Sequence, residues 1–416
     1  MSWHTEQGWV TAISLVRRGV EAVLAAASRR HLARLDQLAP ARCQRRIVLG
    51  LVHQAQTTCF GRDHDFRRIR TVADYRRLVP LCTRAELWRD YWKPVYPHLE
   101  GATWPGRPTK GRFDAENSVR LTPPSSALQA AHRAALRTAL ALATHNGSGI
   151  SSGRRSRLLS GALLFLTDEG PSSRTEDAIL AERLPVLVRP FTVVSADMQI
   201  ERIAHLPVTC LIGPAERLQS LFEAIKQARG KRFVRDIWPL LTTVLFTRRP
   251  SHPPAYYLRA EAGEDVLLLE MVGRAEGPIA IADPRFGLPR LLFNHGMYVE
   301  FVPLDQAGEP RCPRYGIEEI EVGVPYELAV TSPAGLWACR VGRTVRLERR
   351  DPPLLSFVET AIQKGIASEI RRPARRTDLM LPTSPLPAPH PQNTDSSAAQ
   401  PETTSRSPWS ILADRE

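Results

Sequence analysis

Near Leu158 the chain changes its hydrophobic rhythm, and that change limits the folds open to it. Before this point the apolar residues recur at helical spacing. Trp9 to Leu38 reads as one long helix, with Ile13, Val16, Val20, Val23, Leu24 and Ala27 three or four residues apart. A second helix is predicted from Ala41 to Gln56, with its stop at Thr57-Thr58-Cys59-Phe60-Gly61. Thr71 followed by Asp74 three residues on marks a capped helix start. Ser125 to Thr144 is rich in alanine and leucine and reads as helix. After Leu158 the apolar residues gather into short runs bounded by turn residues, as buried strands require. Strands are predicted at Leu163 to Leu166, Val208 to Gly213, Val266 to Leu269, Met297 to Val302, Tyr326 to Thr331 and Val341 to Leu347. Between them Ala215 to Gln227 is a helix with the stripe Leu218, Leu221, Phe222 and Ile225. Helices followed by alternating strands and helices predict an α/β fold, with mixed sheets covered by helices.

The 416 residues suffice for one large domain with appendages. Lys and Arg number 56 against 43 Asp and Glu, a net charge of +13. That charge suits anionic partners, but no basic run interleaves with aromatics as a single-strand stacking platform would. Nucleic acid is therefore not the expected partner. The six cysteines show no Cys-x-x-Cys pair and no zinc-finger spacing to histidine, so reduced thiols in a cytoplasmic protein are expected. Arg17 and Arg18 interrupt the N-terminal apolar stretch, and no segment reaches membrane-spanning length, so no membrane is expected as partner. Beyond Lys364 come Arg371-Arg372-Pro373-Ala374-Arg375-Arg376 and a long Pro/Ser/Thr-rich run. Such a segment buries too little apolar surface to offset about 1–2 kcal/mol of chain entropy per residue. The expected division is a helical extension (1–40), an α/β domain (41–364) and a disordered tail (365–416). The sequence does not specify what partner, if any, the tail has.

Three motifs carry most of the functional information. They are Val272-Gly273-Arg274-Ala275-Glu276-Gly277-Pro278-Ile279, Asn294-His295-Gly296-Met297-Tyr298-Val299-Glu300-Phe301-Val302-Pro303, and Gly335-Leu336-Trp337-Ala338-Cys339-Arg340-Val341-Gly342-Arg343. With Thr57 to Phe66, Asp74 to Leu81, Ile212 to Leu218 and Trp238-Pro239 in the same order, the chain resembles the auxin-responsive Gretchen-Hagen-three family of acyl-acid amido synthetases. The resemblance runs from Ala41 to Phe357 and implies the large N-terminal domain of an adenylate-forming enzyme. It also implies ATP and Mg²⁺ as cofactors and a small carboxylic acid as substrate. An acyl-adenylate forms first, and an amino acid's amine then displaces AMP to give an amide.

Against that chemistry, several residues are of the wrong type. The phosphate loop should lie after Phe113, where Asp114 to Ser125 contains no glycine, so close backbone approach to phosphate is disfavoured. By the resemblance, Arg120 falls at a basic position and Ser125 at a hydroxyl position of the family's nucleotide site. Glu276 and Gly277 match its Ser-Glu-Gly turn, with Ala275 in place of serine and Val272 in place of a tyrosine, and Gly273 beside them is an expected nucleotide-binding residue. Glu276 is the expected catalytic carboxylate. The third motif parallels Gly-Leu-Tyr-Arg-Tyr-x-x-Gly-Asp, and its final ribose-accepting aspartate is Arg343 here. Arginine only donates, and losing one charged hydrogen bond of about 1.5–3 kcal/mol weakens nucleotide binding roughly ten- to a hundred-fold. The family's smaller closing domain is also not found after this motif. His145 to Arg155 could instead cradle a phosphate but lacks a Walker pattern, and no Gly-x-Ser-x-Gly or His-Glu-x-x-His motif occurs.

The expected function is a catalytically degenerate relative that keeps a carboxylate or nucleotide-derived pocket and needs no cofactor. The alternative is an active ATP-dependent ligase joining a carboxylic acid to an amine. A basic nucleic-acid-binding protein is a distant third reading.

Overall fold

The computed structural model describes residues 3–106, 125–146, 158, 161–166, 200–247, 256–273, 275–306 and 312–358. Every described residue belongs to one compact unit. The expected phosphate loop with Arg120, most of His145 to Arg155, and the tail lie outside the described residues.

The helical first part forms largely as its periodicity requires. Helix α1 spans Trp3–Gln37 and α2 spans Pro40–Ala55. Helix α2 stops where expected, and the same segment then starts a short helix α3, Cys59–Asp63, with Thr58 accepting a hydrogen bond from the Gly61 N–H as its cap. Thr71 and Asp74 form the predicted reciprocal capping box of α4, Val72–Leu78. Thr83 and Glu86 make a second such box for α5, Arg84–Leu87. Helix α6 spans Ser126–Asn146.

Among the described residues, ten strands form one sheet in the order β1-β2-β3-β4-β5-β6-β10-β9-β8-β7. They are β1 Ala162–Phe165, β2 Val208–Pro214, β3 Thr243–Thr247, β4 Leu267–Val272, β5 Ala280–Asp283, β6 Leu288–Leu291, β7 Tyr298–Pro303, β8 Pro325–Ser332, β9 Leu336–Arg349 and β10 Leu354–Val358. Strands β1 to β4 are parallel to one another and the remaining pairs are antiparallel. The change happens along β4. Its Leu267–Glu270 stretch pairs with β3, and Met271 and Val272 pair with β5. The mixed α/β class expected from the sequence is therefore the observed one. Short helices Ile200–Ala204 (α7), Ala215–Arg229 (α8) and Tyr256–Ala262 (α9) accompany the strands.

Alternate residues of the parallel strands face opposite layers, as strand geometry demands. Leu164, Leu211, Val244 and Phe246 pack under α8, whose stripe of Leu218, Leu221, Phe222 and Ile225 is buried as predicted. Leu163, Phe165, Cys210 and Leu245 pack on the other side against Ala135, Ala139 and Leu142 of α6 and Leu32 of α1. Each fully buried leucine contributes about 1.5–3 kcal/mol. A third cluster fills the antiparallel half around Trp337, Phe60, Phe66 and Phe301.

Two buried ionic networks fix elements far apart in sequence. Asp36 of α1 pairs with Arg285 and with fully buried Arg290, and both arginines also pair with Asp283. Glu300 of β7 pairs with Arg76 and Arg314. Burial pushes the Glu300 carboxyl up, and the two arginines pull it back. Breaking such a pair by removing one partner costs about 3–5 kcal/mol. Among the described residues, no helix is long and apolar enough to cross a membrane.

Candidate functional site

The Glu276-Gly277 turn lies in the connection from β4 to β5, just after β4 has exchanged its parallel neighbour for its antiparallel one. Two glycines shape it. Gly273 has φ +99°, and a Cβ there would run into the Gly277 carbonyl oxygen. Gly277 has φ +112°, and a Cβ there would meet the Met297 side chain. Only glycine meets both conditions. The Ile279 N–H donates to the Val272 carbonyl at 2.8 Å and closes the hairpin.

This geometry presents the Glu276 carboxylate to Arg84. The Arg84 Nη2 donates to Glu276 Oε2 at 3.1 Å, with side chains only 22% and 12% exposed. Arg84 is the first residue of α5, beside the cap Thr83. A cation at a helix N-terminus opposes the macrodipole, so Arg84 gains from an anion outside its own helix. Sequence reasoning missed Arg84 as a site residue. Its signal is the capping pattern Thr83-x-x-Glu86 with an arginine one place inside.

Ser125 caps α6: its Oγ accepts from the Leu128 N–H at 3.0 Å and donates to the Pro333 carbonyl at 2.6 Å. Leu128 Cδ1 lies 3.3 Å from the Cβ position at Gly277. The start of α6, the Glu276-Gly277 turn and the β8–β9 turn therefore meet. Ser125 is buried, and its single proton is committed to a backbone oxygen.

The third motif is built into the core. Gly335 has φ +76° and lies against Thr103. The Trp337 Nε1–H donates to the Thr103 carbonyl at 2.9 Å, and its ring stacks at 5.8 Å on Phe60. Ala338 adopts φ +41°, held by its N–H to Thr331 Oγ1 at 2.9 Å. Arg340 pairs with Glu327. In the pairing of β8 with β9, Glu327 opposes Thr344 and Ala329 opposes Arg340, so Val341 to Arg343 bulge opposite Leu328. Arg343 is buried, and its guanidinium carbon lies 5.9 Å from the ring centre of Phe357. The structure thus brings Ser125, Gly273, Glu276 and Gly277 together. It places Arg343 by a separate contact on β10.

The architecture places the chain by fold: it is the fold seen in solved adenylate-forming enzymes. It is similar to the AtGH3.15 acyl acid amido synthetase in complex with 2,4-DB, with a TM-score of 0.57 at 14% identity over 80% of this chain and 70% of that one. It is similar to a further structure of GH3.15 acyl acid amido synthetase (TM-score 0.52, 13% identity, 79% of this chain and 69% of that one). An open conformation of 2-hydroxyisobutyryl-CoA ligase in complex with 2-HIB-AMP and CoA matches with a TM-score of 0.51 at 11% identity, covering 75% of this chain and 66% of that one. More particularly, residues 290–360 match the GH3 family central domain. That match supports the sequence resemblance to the acyl acid amido synthetases. The matched stretch contains Arg343.

Proposed function

We propose that this chain is a catalytically degenerate relative of the acyl acid amido synthetases. It retains a pocket for a small carboxylic acid and does not make an acyl-adenylate. The Glu276–Arg84 pair carries this reading. A carboxylate that takes part in holding Mg²⁺ or nucleotide must offer its lone pairs to the incoming group. Here an arginine from a different element already donates to one of its two oxygens, in a setting mostly screened from water.

The other described residues agree. The Ser125 hydroxyl is committed to Pro333, and Arg343, which the resemblance aligns with the family's ribose-accepting aspartate, only donates. These contacts among the described residues argue against a tightly held ATP–Mg²⁺. The carboxylic acid class follows from the similar structures, which hold 2,4-DB and 2-HIB-AMP. The division into 1–40, 41–364 and 365–416 belongs to the same proposal.

One observation favours the alternative of a working ATP-dependent ligase: the two glycines still hold Glu276 at the end of β4. Calorimetry of the purified protein with ATP–Mg²⁺ separates the readings. We expect weak binding or none, and a low-micromolar dissociation constant would favour the ligase. Pyrophosphate release with a panel of carboxylic acids, lost in Glu276→Ala, would overturn the degenerate reading.

A further inference from the structure

Two thiols meet where the segment carrying Arg84 passes the third motif. Cys82 pairs with Cys339 in an isolated parallel bridge. The Cys82 N–H donates to the Ala338 carbonyl at 3.2 Å, and the Arg340 N–H donates to the Cys82 carbonyl at 2.8 Å. Paired residues on adjacent strands point to the same face, about 4.8 Å apart between backbones. That spacing lies within the Cα separations a disulfide spans, about 4.4–6.8 Å. The Cys82 thiol also donates to the Trp337 carbonyl at 3.0 Å, which holds it at this point. A hydrogen bond to the Cys339 thiol, with burial second, holds Cys82 well above the ordinary thiol range. Cys82 keeps 9% exposure and Cys339 none.

We propose that Cys82 and Cys339 are a redox-responsive pair, whose disulfide clamps the Arg84 segment to the motif strand. Hydrogen peroxide is the oxidant class. The Cys82 thiolate attacks one peroxide oxygen to give a sulfenic acid and hydroxide. The Cys339 sulfur then attacks the sulfenic sulfur, an S–S bond forms, and the sulfenic oxygen leaves as water with the Cys339 proton. Overall two thiols and one peroxide give one disulfide and two waters. The thiolate is scarce at neutral pH, so formation is slow and quickens as pH rises. Arg84 lies two residues beyond Cys82, so the clamp holds it against Glu276. This inference does not depend on the degenerate reading.

The full chain is treated with excess hydrogen peroxide at mildly alkaline pH, and its remaining thiols are alkylated. Non-reducing peptide mapping by mass spectrometry then reads the linkage. We expect the Cys82 peptide joined to the Cys339 peptide, two hydrogens lighter than their sum and separated again by dithiothreitol. The linked product is absent in Cys82→Ser and Cys339→Ser. The wild-type map is decisive by itself, whether or not those variants fold. Amide hydrogen exchange of residues 82–84 and 338–340 slows on oxidation. The proposal fails if Cys59 and Cys312 are oxidised while Cys82 and Cys339 remain alkylatable after denaturation. It fails equally if Cys82 links to Cys43 or Cys59.

Discussion

Arg84 and Glu276 stand 192 residues apart in sequence and 3.1 Å apart in space, and their ion pair competes with any ligand for the Glu276 Oε2 oxygen. Neither side chain is a third exposed, so the pair retains more energy than a surface ion pair. Arg84→Ala should lower unfolding stability by about 1–3 kcal/mol, since it leaves a mostly buried carboxylate without its hydrogen bond. Denaturant titration reads this. The same variant frees Glu276, and calorimetry should still find no strong ATP–Mg²⁺ binding. Tight binding in Arg84→Ala would mean that the rest of the nucleotide site is intact.

Gly277 gives a purely structural prediction. At φ +112° any side chain is strained, and a methyl group there would displace Met297. Gly277→Ala should cost about 1–3 kcal/mol, read as a drop in melting temperature. An unchanged melting temperature would show that the turn does not have this shape.

The parts legible in the sequence were those fixed by local rules. The Thr71–Asp74 capping box and the stripe of α8 each depend on residues within a turn or two of one another. Strands β3, β5, β6 and β10 were not foreseen. Each is only four or five residues long, and β6 reads Leu-Pro-Arg-Leu, with a proline and a charge where a buried strand is expected to be apolar. Arg290 is tolerated there because Asp36 and Asp283 neutralise it, and Asp36 lies 254 residues away. The site was half legible for the same reason. Glycines at Gly273 and Gly277 announce a turn, but nothing local to Glu276 announces Arg84.

Histidines at the α1–α6 contact predict a pH dependence. His31 of α1 and His295 both bond Thr138 Oγ1, at 3.0 and 2.9 Å. Burial, then the charges of His31 and Arg290, lowers His295 to about 4. His31 is lowered too, by burial and then by Arg137, Arg290 and Arg34. An unfolded histidine binds its proton near pH 6.5, so between about 6.5 and 4 the unfolded chain holds more protons. Stability is then full above that window and falls as pH drops through it, by at most about 3 kcal/mol for His295. In His295→Gln this acid-side loss should shrink, as read by urea titration at a series of pH values. An identical pH profile in the variant would remove His295 from the explanation.

Arg343 separates an enzyme with one inherited defect from a site changed throughout. If the arginine were the sole defect, Arg343→Asp would restore a ribose acceptor and strengthen ATP binding by about 1.5–3 kcal/mol, roughly ten- to a hundred-fold. Two features of the structure argue against that gain. Arg343 is buried over Phe357 in the β9 bulge, so a shorter anionic side chain there loses its packing partner. Glu276 stays paired with Arg84, and the Ser125 hydroxyl stays bonded to Pro333, whatever residue stands at 343. Arg343→Asp should therefore destabilise the fold by about 1–3 kcal/mol, with no gain in ATP affinity. Calorimetry and denaturant titration on the same preparation read both quantities. A tenfold or larger gain in ATP–Mg²⁺ affinity would show that one substitution had silenced an otherwise working nucleotide site.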